Sequence, residues 1–119
     1  MTKTVTQKAN TLDDGIKIMI NAMVEDYSVF NQHNKNEVVR NNMFDEYKNK
    51  FQITEGRKFI KISNNNYVKA FVVKLDFGKF KKGDVLKPAG WRAPAMNSAR
   101  GNVLNGNYDI QWTGPMYLK

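Results

Sequence analysis

The sequence predicts an α+β protein in which an N-terminal helical hairpin packs on a C-terminal antiparallel β-sheet or small open barrel. Three observations support this class. Between residues 11 and 50, apolar residues recur at intervals of three and four, the period of amphipathic helices. From residue 57 onward, short aromatic and β-branched runs alternate with Asn- and Gly-containing turns, as in antiparallel strands. A length of 119 residues suits a single domain with its own core.

The first helix is predicted to begin after Thr11. Residues 1–10 are polar and without periodicity, so we expect a flexible tail there. Thr11 followed by Asp14 has the pattern of a helix-capping box. The apolar face of this helix is predicted to consist of Leu12, Ile16, Met19, Ile20, Met23, Tyr27 and Phe30. The polar face is predicted to consist mainly of Asp13, Lys17, Asn21, Glu25 and Asp26.

A second helix is predicted after the Asn-rich turn at residues 31–36. Asn36 can cap this helix, which runs to about residue 50 and completes a helical part over residues 11–50. Its apolar stripe is predicted to consist of Val39, Met43, Phe44 and Tyr47. Two amphipathic helices joined by a short turn form an antiparallel hairpin, whose apolar face needs a partner.

The second half of the chain, residues 57–118, is predicted to be β-rich and basic. The predicted strands cover residues 59–62, 67–75, 85–86 and 108–113. Turns are predicted at residues 63–66, 76–79, 81–84 and 105–107. Both faces of the strand at 67–75 carry apolar residues, so we expect both to be partly buried. Gly114 and Pro115 then interrupt the pattern before an apolar end formed by Met116, Tyr117 and Leu118.

Residues 87–102 are predicted to form a long irregular loop. The segment contains two Pro, two Gly and several small residues without a sustained period. A loop of this length is uncommon in a compact domain unless it is functional or disordered. It is therefore the first place to search for a binding function.

The composition excludes several classes of function. The chain contains no Cys, which excludes disulfides, thiolate metal sites and a cysteine nucleophile. No apolar run approaches the length of a membrane span or a signal peptide, so we expect a cytoplasmic protein with no membrane association. His33 is the only histidine and lies in a turn, and the adjacent acidic pairs fit helix caps and solvated faces. We therefore expect no enzyme activity, cofactor or metal, although catalytic groups brought together only by the fold stay an alternative.

The positive charge is confined to one half of the chain. The formal net charge is +8, and residues 51–119 carry 12 basic and 4 acidic side chains, while residues 1–50 carry 7 of each. Such a basic half favours phosphate-containing partners. The 15 Lys and 15 Asn also fit the codon usage of an AT-rich genome, so total charge by itself distinguishes little.

The segment 79–100 combines cations with aromatic residues, a pattern typical of proteins that bind single-stranded nucleic acid. The predicted nucleic-acid-binding residues are Lys79, Lys81, Lys82, Lys87, Trp91, Arg92 and Arg100. The alternative is a solvated turn followed by a Trp that covers the core. A possible phosphate site, or else a set of turn residues, consists of Asn97, Ser98, Gly101 and Asn102. Their spacing matches neither the Walker loop nor the dinucleotide fingerprint.

The segments FKKGDVLKPAGWRAPAMNSARGNVL and IQWTGPMYL resemble a group of small tailed-bacteriophage proteins of unassigned function. The resemblance spans about residues 57–118 and implies a phage origin, but no activity, cofactor or catalytic residue. It is carried by Gly83, Asp84, Trp91, Pro94, Ala99, Arg100, Gly101, Asn102, Trp112, Thr113 and Gly114.

Together these observations predict a non-enzymatic, phage-type accessory protein that binds nucleic acid in the host cytoplasm. The alternative is a phage structural or host-directed protein–protein interaction protein, with the virion as a possible location. In that case a phage or host protein would dock on exposed apolar anchors, namely Trp91, Met96, Met116 and Tyr117. The oligomeric state stays open.

Overall fold

The computed structural model describes residues 2–116 and confirms the α+β class. Its elements are β1 (Lys3–Val5), α1 (Leu12–Asn31), α2 (Glu37–Asn49), β2 (Phe51–Glu55), β3 (Phe59–Asn64), β4 (Tyr67–Val73), β5 (Val85–Leu86), β6 (Tyr108–Gln111) and β7 (Gly114–Pro115). Within these residues the strands form two antiparallel sheets, with strand orders β1-β6-β7 and β2-β3-β4-β5. The larger sheet is open, so a small barrel is not confirmed.

Both helices begin where the capping residues predict. The Thr11 hydroxyl accepts a hydrogen bond from the Asp14 amide at 3.1 Å, and the Asn36 side chain accepts one from the Val39 amide at 3.1 Å. Each bond satisfies a first-turn N–H that has no partner inside its helix. Neither helix is long and apolar enough to cross a membrane, in the part of the chain that the structure describes.

Helix α1 packs against β1 and β6 and supplies much of the larger apolar core. Of its predicted apolar face, Ile16, Met19, Met23 and Tyr27 are buried, whereas Phe30 is exposed. Asp26 was expected on the polar face but is only 2% exposed. Its carboxylate accepts a hydrogen bond from the Trp112 amide at 2.8 Å, and this partner explains how the carboxylate can be buried.

Helix α2 contributes little to the core. It contacts α1, but of its predicted stripe only Tyr47 is buried, while Val39 and Met43 are exposed. The Tyr47 hydroxyl donates to the Trp112 carbonyl at 2.6 Å, and this bond joins α2 to the end of β6. The apolar stripe of α2 is therefore largely uncovered within residues 2–116.

The larger sheet has apolar residues on both faces, as expected for β4. Ala70 and Val72 belong to the core beneath α1, whereas Phe71 and Val73 belong to a second cluster with Phe80 and Leu86. The β3–β4 hairpin turns at Asn65 and Asn66, both at positive φ, where Asn is more readily accommodated than most residues. Strand β2 was not predicted: Phe51 and Ile53 alternate with polar residues, but the run is short and four of its five residues are exposed.

Part of the segment predicted to be a flexible tail, residues 1–10, is paired with the rest of the protein. Residues 3–5 form strand β1, which pairs with β6, and Val5 is only 5% exposed in the core. The Ala9 amide also donates to the Leu104 carbonyl at 3.0 Å. A three-residue strand is too short to produce a periodic pattern, and its partner lies at the other end of the chain.

The C-terminal interruption also belongs to the small sheet. Gly114 and Pro115 form the short strand β7, which pairs with β6. Tyr117 and Leu118, which were predicted to belong to an apolar end, lie outside the described residues.

Candidate nucleic-acid interface

The loop at residues 87–102 has neither helix nor strand, as predicted, but its backbone is hydrogen-bonded. The Ala89 amide donates to the Ala93 carbonyl at 3.0 Å, and the Ala95 amide donates to the Lys87 carbonyl at 2.7 Å. These bonds close a narrow turn that presents Trp91 and Arg92. At its far end the loop pairs with β5, since the Arg100 amide donates to the Val85 carbonyl at 2.8 Å.

Lys61 of β3 attaches the tip of this loop to the larger sheet. Its Nζ lies 4.0 Å from the centre of the Trp91 ring, within the range of a cation–π contact, and donates to the Trp91 carbonyl at 3.4 Å. Trp91 is 48% exposed and belongs to neither apolar cluster. It therefore does not act as a lid over the core.

A basic pocket of about 290 Å³ lies between this loop and the β2–β3 hairpin. Its lining consists of Thr54, Gly56, Arg57, Lys58, Phe59, Lys61, Phe71 and Arg92. Four of these residues are cations and none is acidic. Within residues 2–116 the ion pairs are Lys3–Glu25 and Lys74–Glu55, which involve none of the four. The positive charge of the pocket is thus not neutralised by an ion pair.

The turn at residues 76–84 adjoins the pocket. The Nζ of Lys58 lies 5.3 Å from the centre of the Phe77 ring, which connects the pocket wall to this turn. Asp76 and Asp84 accept hydrogen bonds from the backbone amides of Lys82 and Lys81, at 2.7 and 2.9 Å. Both carboxylates therefore hold the turn, while the two lysine residues are exposed.

Lys79 joins the turn to the loop. Its Nζ donates to the Asn97 carbonyl and lies 5.4 Å from the centre of the Phe80 ring. Lys79, one of the predicted nucleic-acid-binding residues, therefore also forms a hydrogen bond within the protein.

Arg100 and Lys87 do not line the basic pocket. The guanidinium of Arg100 donates to the carbonyls of Ser98 and Met116, at 3.2 and 2.8 Å, and to the Asn97 side chain at 3.2 Å. Burial, together with the nearby charge of Arg100, lowers the pKa of Lys87. The predicted cations are therefore not on one surface. Arg92 lines the pocket and Lys81 and Lys82 are exposed on the adjoining turn, whereas Lys87 and Arg100 are half-buried outside the pocket.

The possible phosphate site is occupied by contacts within the chain. The Asn102 side chain accepts from the Leu104 amide at 2.9 Å and donates to Asp84 at 3.0 Å, and the Asn97 side chain accepts from the Ser98 amide at 2.7 Å. A Cβ at Gly101 would lie only 2.4 Å from the Cβ of Tyr108. These contacts favour the turn interpretation of Asn97, Ser98, Gly101 and Asn102.

Sequence reasoning about the segment 79–100 missed Arg57, Lys58 and Lys61. The signal was present as RKFIK, in which three cations flank an aromatic residue at the start of β3. Only the fold brings this run beside Trp91 and Arg92.

Two further features of the described residues bear on chemistry, namely their potential metal ligands and a second cavity. Among residues 2–116, no group of three His, Asp or Glu residues could hold a metal ion. A second cavity of about 230 Å³ is lined by Tyr27, Tyr47, Trp112 and Lys69, among others. Tyr27 and Tyr47 stack with ring centres 4.2 Å apart, and burial lowers the pKa of Lys69.

These features define a small α+β protein with a basic pocket between a β-hairpin and an irregular loop. The chain belongs to DUF7717, a family of unknown function, whose model matches residues 2–117. No curated protein and no solved structure matches the chain. The family relationship therefore assigns no activity, and function has to be argued from the site.

Proposed function

We propose that the protein is a non-enzymatic, phage-type accessory protein that binds nucleic acid in the host cytoplasm. The observation that carries this proposal is the meeting of Arg57, Lys58, Lys61 and Arg92 around one pocket without a lining carboxylate. The exposed Trp91 beside them adds a surface on which a base can stack. The resemblance of residues 57–118 to phage proteins supports the phage assignment.

Binding would rest mainly on neutralisation of phosphates. Cations that contact phosphates release counterions, so the affinity falls steeply as salt is added. Lys81 and Lys82 extend the positive surface beyond the basic pocket. Lys79 and Arg100 instead donate side-chain hydrogen bonds that hold the loop, and Lys87 lies outside the basic pocket.

Fluorescence anisotropy with labelled single- and double-stranded DNA and RNA, at two salt concentrations, tests this function. The test variant replaces Lys81, Lys82 and Arg92 with Ala. The control variant replaces Lys8, Lys17 and Lys35, exposed residues of the N-terminal half, and removes the same charge. We expect at least a tenfold weaker affinity for the test variant, with a salt slope smaller by about 1 for each lost phosphate contact. Similar losses in both variants, or no loss, would contradict the proposal.

A protein–protein function is the second candidate. Val38, Val39 and Phe30 are exposed on the helical hairpin, and Trp91 and Met96 are each 48% exposed. Exposed aromatic and apolar residues of this kind are typical of interface centres. Detection of a stoichiometric partner that is lost on replacing Val38 and Val39 with Asp, or of the protein in purified virions, would favour this function over nucleic-acid binding.

A further inference from the structure

We infer that the basic pocket accepts one unpaired nucleotide, with its phosphate at the cationic rim and its base against the aromatic floor. This inference rests on the proposed nucleic-acid function and specifies its ligand. The protein would consequently prefer single strands to duplexes.

The size of the pocket limits what can enter it. A volume of about 290 Å³ lies near the lower end of cavities that hold small organic molecules, about 300 to 1,000 Å³. A space of this size suits one nucleotide, and a base pair would extend beyond it. A nucleotide inside a duplex would have to leave the stack to enter, which costs a few kcal/mol.

The lining of the pocket combines cationic and aromatic side chains. Arg57 and Arg92 come from different segments and offer planar guanidinium groups, which suit phosphate oxygens. Phe59 is half-buried and provides aromatic carbon on the same lining, packed against Phe71, which is only 3% exposed, with ring centres 6.1 Å apart at 76°. A free phosphate would use only the cations, and an apolar molecule would use only the rings. A nucleotide uses both.

The position of Trp91 extends the site along a strand. The Nζ of Lys61 lies 4.0 Å from the centre of the Trp91 ring and covers one face of it, which holds the ring beside the pocket, while about half of the side chain stays exposed. The base next to the bound nucleotide can therefore stack on Trp91. Base faces are accessible for such stacking only in single-stranded nucleic acid.

The charge near the pocket favours an anion. Glu55 directly precedes the pocket residue Gly56, but its carboxylate is paired with Lys74 at 3.0 Å. Lys74 also donates to the Gly56 carbonyl at 3.0 Å, which keeps this pair on the hairpin. The carboxylate nearest to the pocket in sequence is thus paired with Lys74 and not with a cation of the pocket.

Trp91 fluorescence tests the inference directly. The chain has two Trp residues, so replacing Trp112 with Phe leaves Trp91 as the reporter. Adenosine 5′-monophosphate, adenosine and inorganic phosphate are titrated separately into this protein. We expect a saturable response to the monophosphate, with a Kd at least tenfold lower than that of adenosine or phosphate.

Two double variants locate the response. R57Q/R92Q changes the pocket, whereas K17Q/K35Q removes the same charge from exposed positions of the N-terminal half. We expect R57Q/R92Q to weaken monophosphate binding at least tenfold and K17Q/K35Q to leave it within twofold, with unchanged thermal unfolding of both. A single-stranded 12-mer should bind the parent protein at least tenfold more tightly than the duplex, and the monophosphate should compete with it.

The outcomes separate the two proposals. Equal affinity for single strand and duplex, or equal affinity for phosphate and the monophosphate, would overturn the nucleotide pocket but leave nucleic-acid binding intact. A further result would overturn the nucleotide pocket and leave nucleic-acid binding intact. In that case single strands bind without competition from the monophosphate, and the two double variants lose affinity equally. If no polynucleotide binds while the monophosphate still binds through Arg57 and Arg92, the proposed function fails and the ligand class of the pocket stands.

Discussion

The backbone of Trp112 is held by one side chain from each helix. Its amide donates to the Asp26 carboxylate at 2.8 Å, and its carbonyl accepts from the Tyr47 hydroxyl at 2.6 Å. These bonds join residues that lie far apart in sequence, and they account for the burial of both side chains. Helical periodicity indicates the face on which a residue lies but not a partner supplied from another element.

Replacing Asp26 with Ala should destabilise the protein by about 2 to 3 kcal/mol, because the Trp112 amide would lose a charged acceptor in a buried position. Asp26→Asn retains a side-chain oxygen and should cost less. Urea unfolding followed by circular dichroism measures both. Equal costs for Ala and Asn would mean that the hydrogen bond does not explain the burial of Asp26.

Tyr108 and Tyr47 form a matched pair for a second prediction. Both are buried, but the hydroxyl of Tyr108 has no hydrogen-bond partner among the described residues. Tyr108→Phe should therefore be neutral or stabilising by up to about 1 kcal/mol, whereas Tyr47→Phe should cost about 1 kcal/mol. Denaturant unfolding of the two variants at pH 7 provides the measurement. A clear loss of stability in Tyr108→Phe would indicate a partner for its hydroxyl.

The raised pKa of the same two tyrosines predicts that the protein loses stability at alkaline pH. Burial raises the pKa of both, so the folded protein retains their protons at pH values at which the unfolded chain, with a pKa near 10, has lost them. The free energy of unfolding should fall above about pH 10, by up to about 1.4 kcal/mol per pH unit for each tyrosine. Below pH 10 this contribution stays constant. Urea unfolding between pH 8 and 11 should show a smaller slope for Tyr108→Phe, and an unchanged slope would refute the assignment.

At the scale of elements, strand β7 brings the small sheet against the larger one. Gly114 has φ +124°, and a Cβ there would lie 2.4 Å from the Lys69 carbonyl oxygen of β4. Both the backbone conformation and the close approach require glycine. The Gly-Pro pair resembled an ordinary break in the sequence because neither requirement produces a local pattern.

Gly114→Ala should destabilise the protein by more than about 2 kcal/mol, since it combines backbone strain with a clash against main-chain atoms. Gly90→Ala is the control, because a Cβ there meets nothing within 4 Å and its φ is not positive. Thermal unfolding monitored by circular dichroism compares the two. Similar melting temperatures would show that β7 can move away from β4 at little cost.

At the scale of the whole molecule, the two ends of the chain form one sheet. Thr4 of β1 is paired with Asp109 of β6, and the Thr4 hydroxyl donates to the Asp109 carboxylate at 2.7 Å. Residues 3–5 near the N-terminus are therefore part of the folded sheet. It also covers the core that α1 and β6 share.

Val5→Asp should abolish most of the stability, by more than about 3 kcal/mol, because it places a charge without a partner in the core. Thr6→Asp, at the next and exposed position, should change stability by less than about 0.5 kcal/mol. Chemical denaturation of both variants gives the comparison. If Val5→Asp were as mild as Thr6→Asp, strand β1 would not be part of the folded core.

The local features of this protein could be predicted from its sequence. The starts of both helices at Thr11 and Asn36, the Asn turn after β3 and the irregular loop at residues 87–102 were all predicted correctly. Each depends on interactions between residues a few positions apart, or on the intrinsic preferences of Asn, Gly and Pro. Such interactions leave a signal in a short stretch of sequence.

The contacts between distant segments became visible only in the folded structure. Strands β1, β2 and β7 are short or exposed, and their pairing depends on partners elsewhere in the chain. The basic pocket likewise exists because the β2–β3 hairpin and the tip of the loop come together, which places Arg57 beside Arg92. The charge asymmetry indicated the basic half of the chain, but packing selected which of its cations share a surface and which hold the loop.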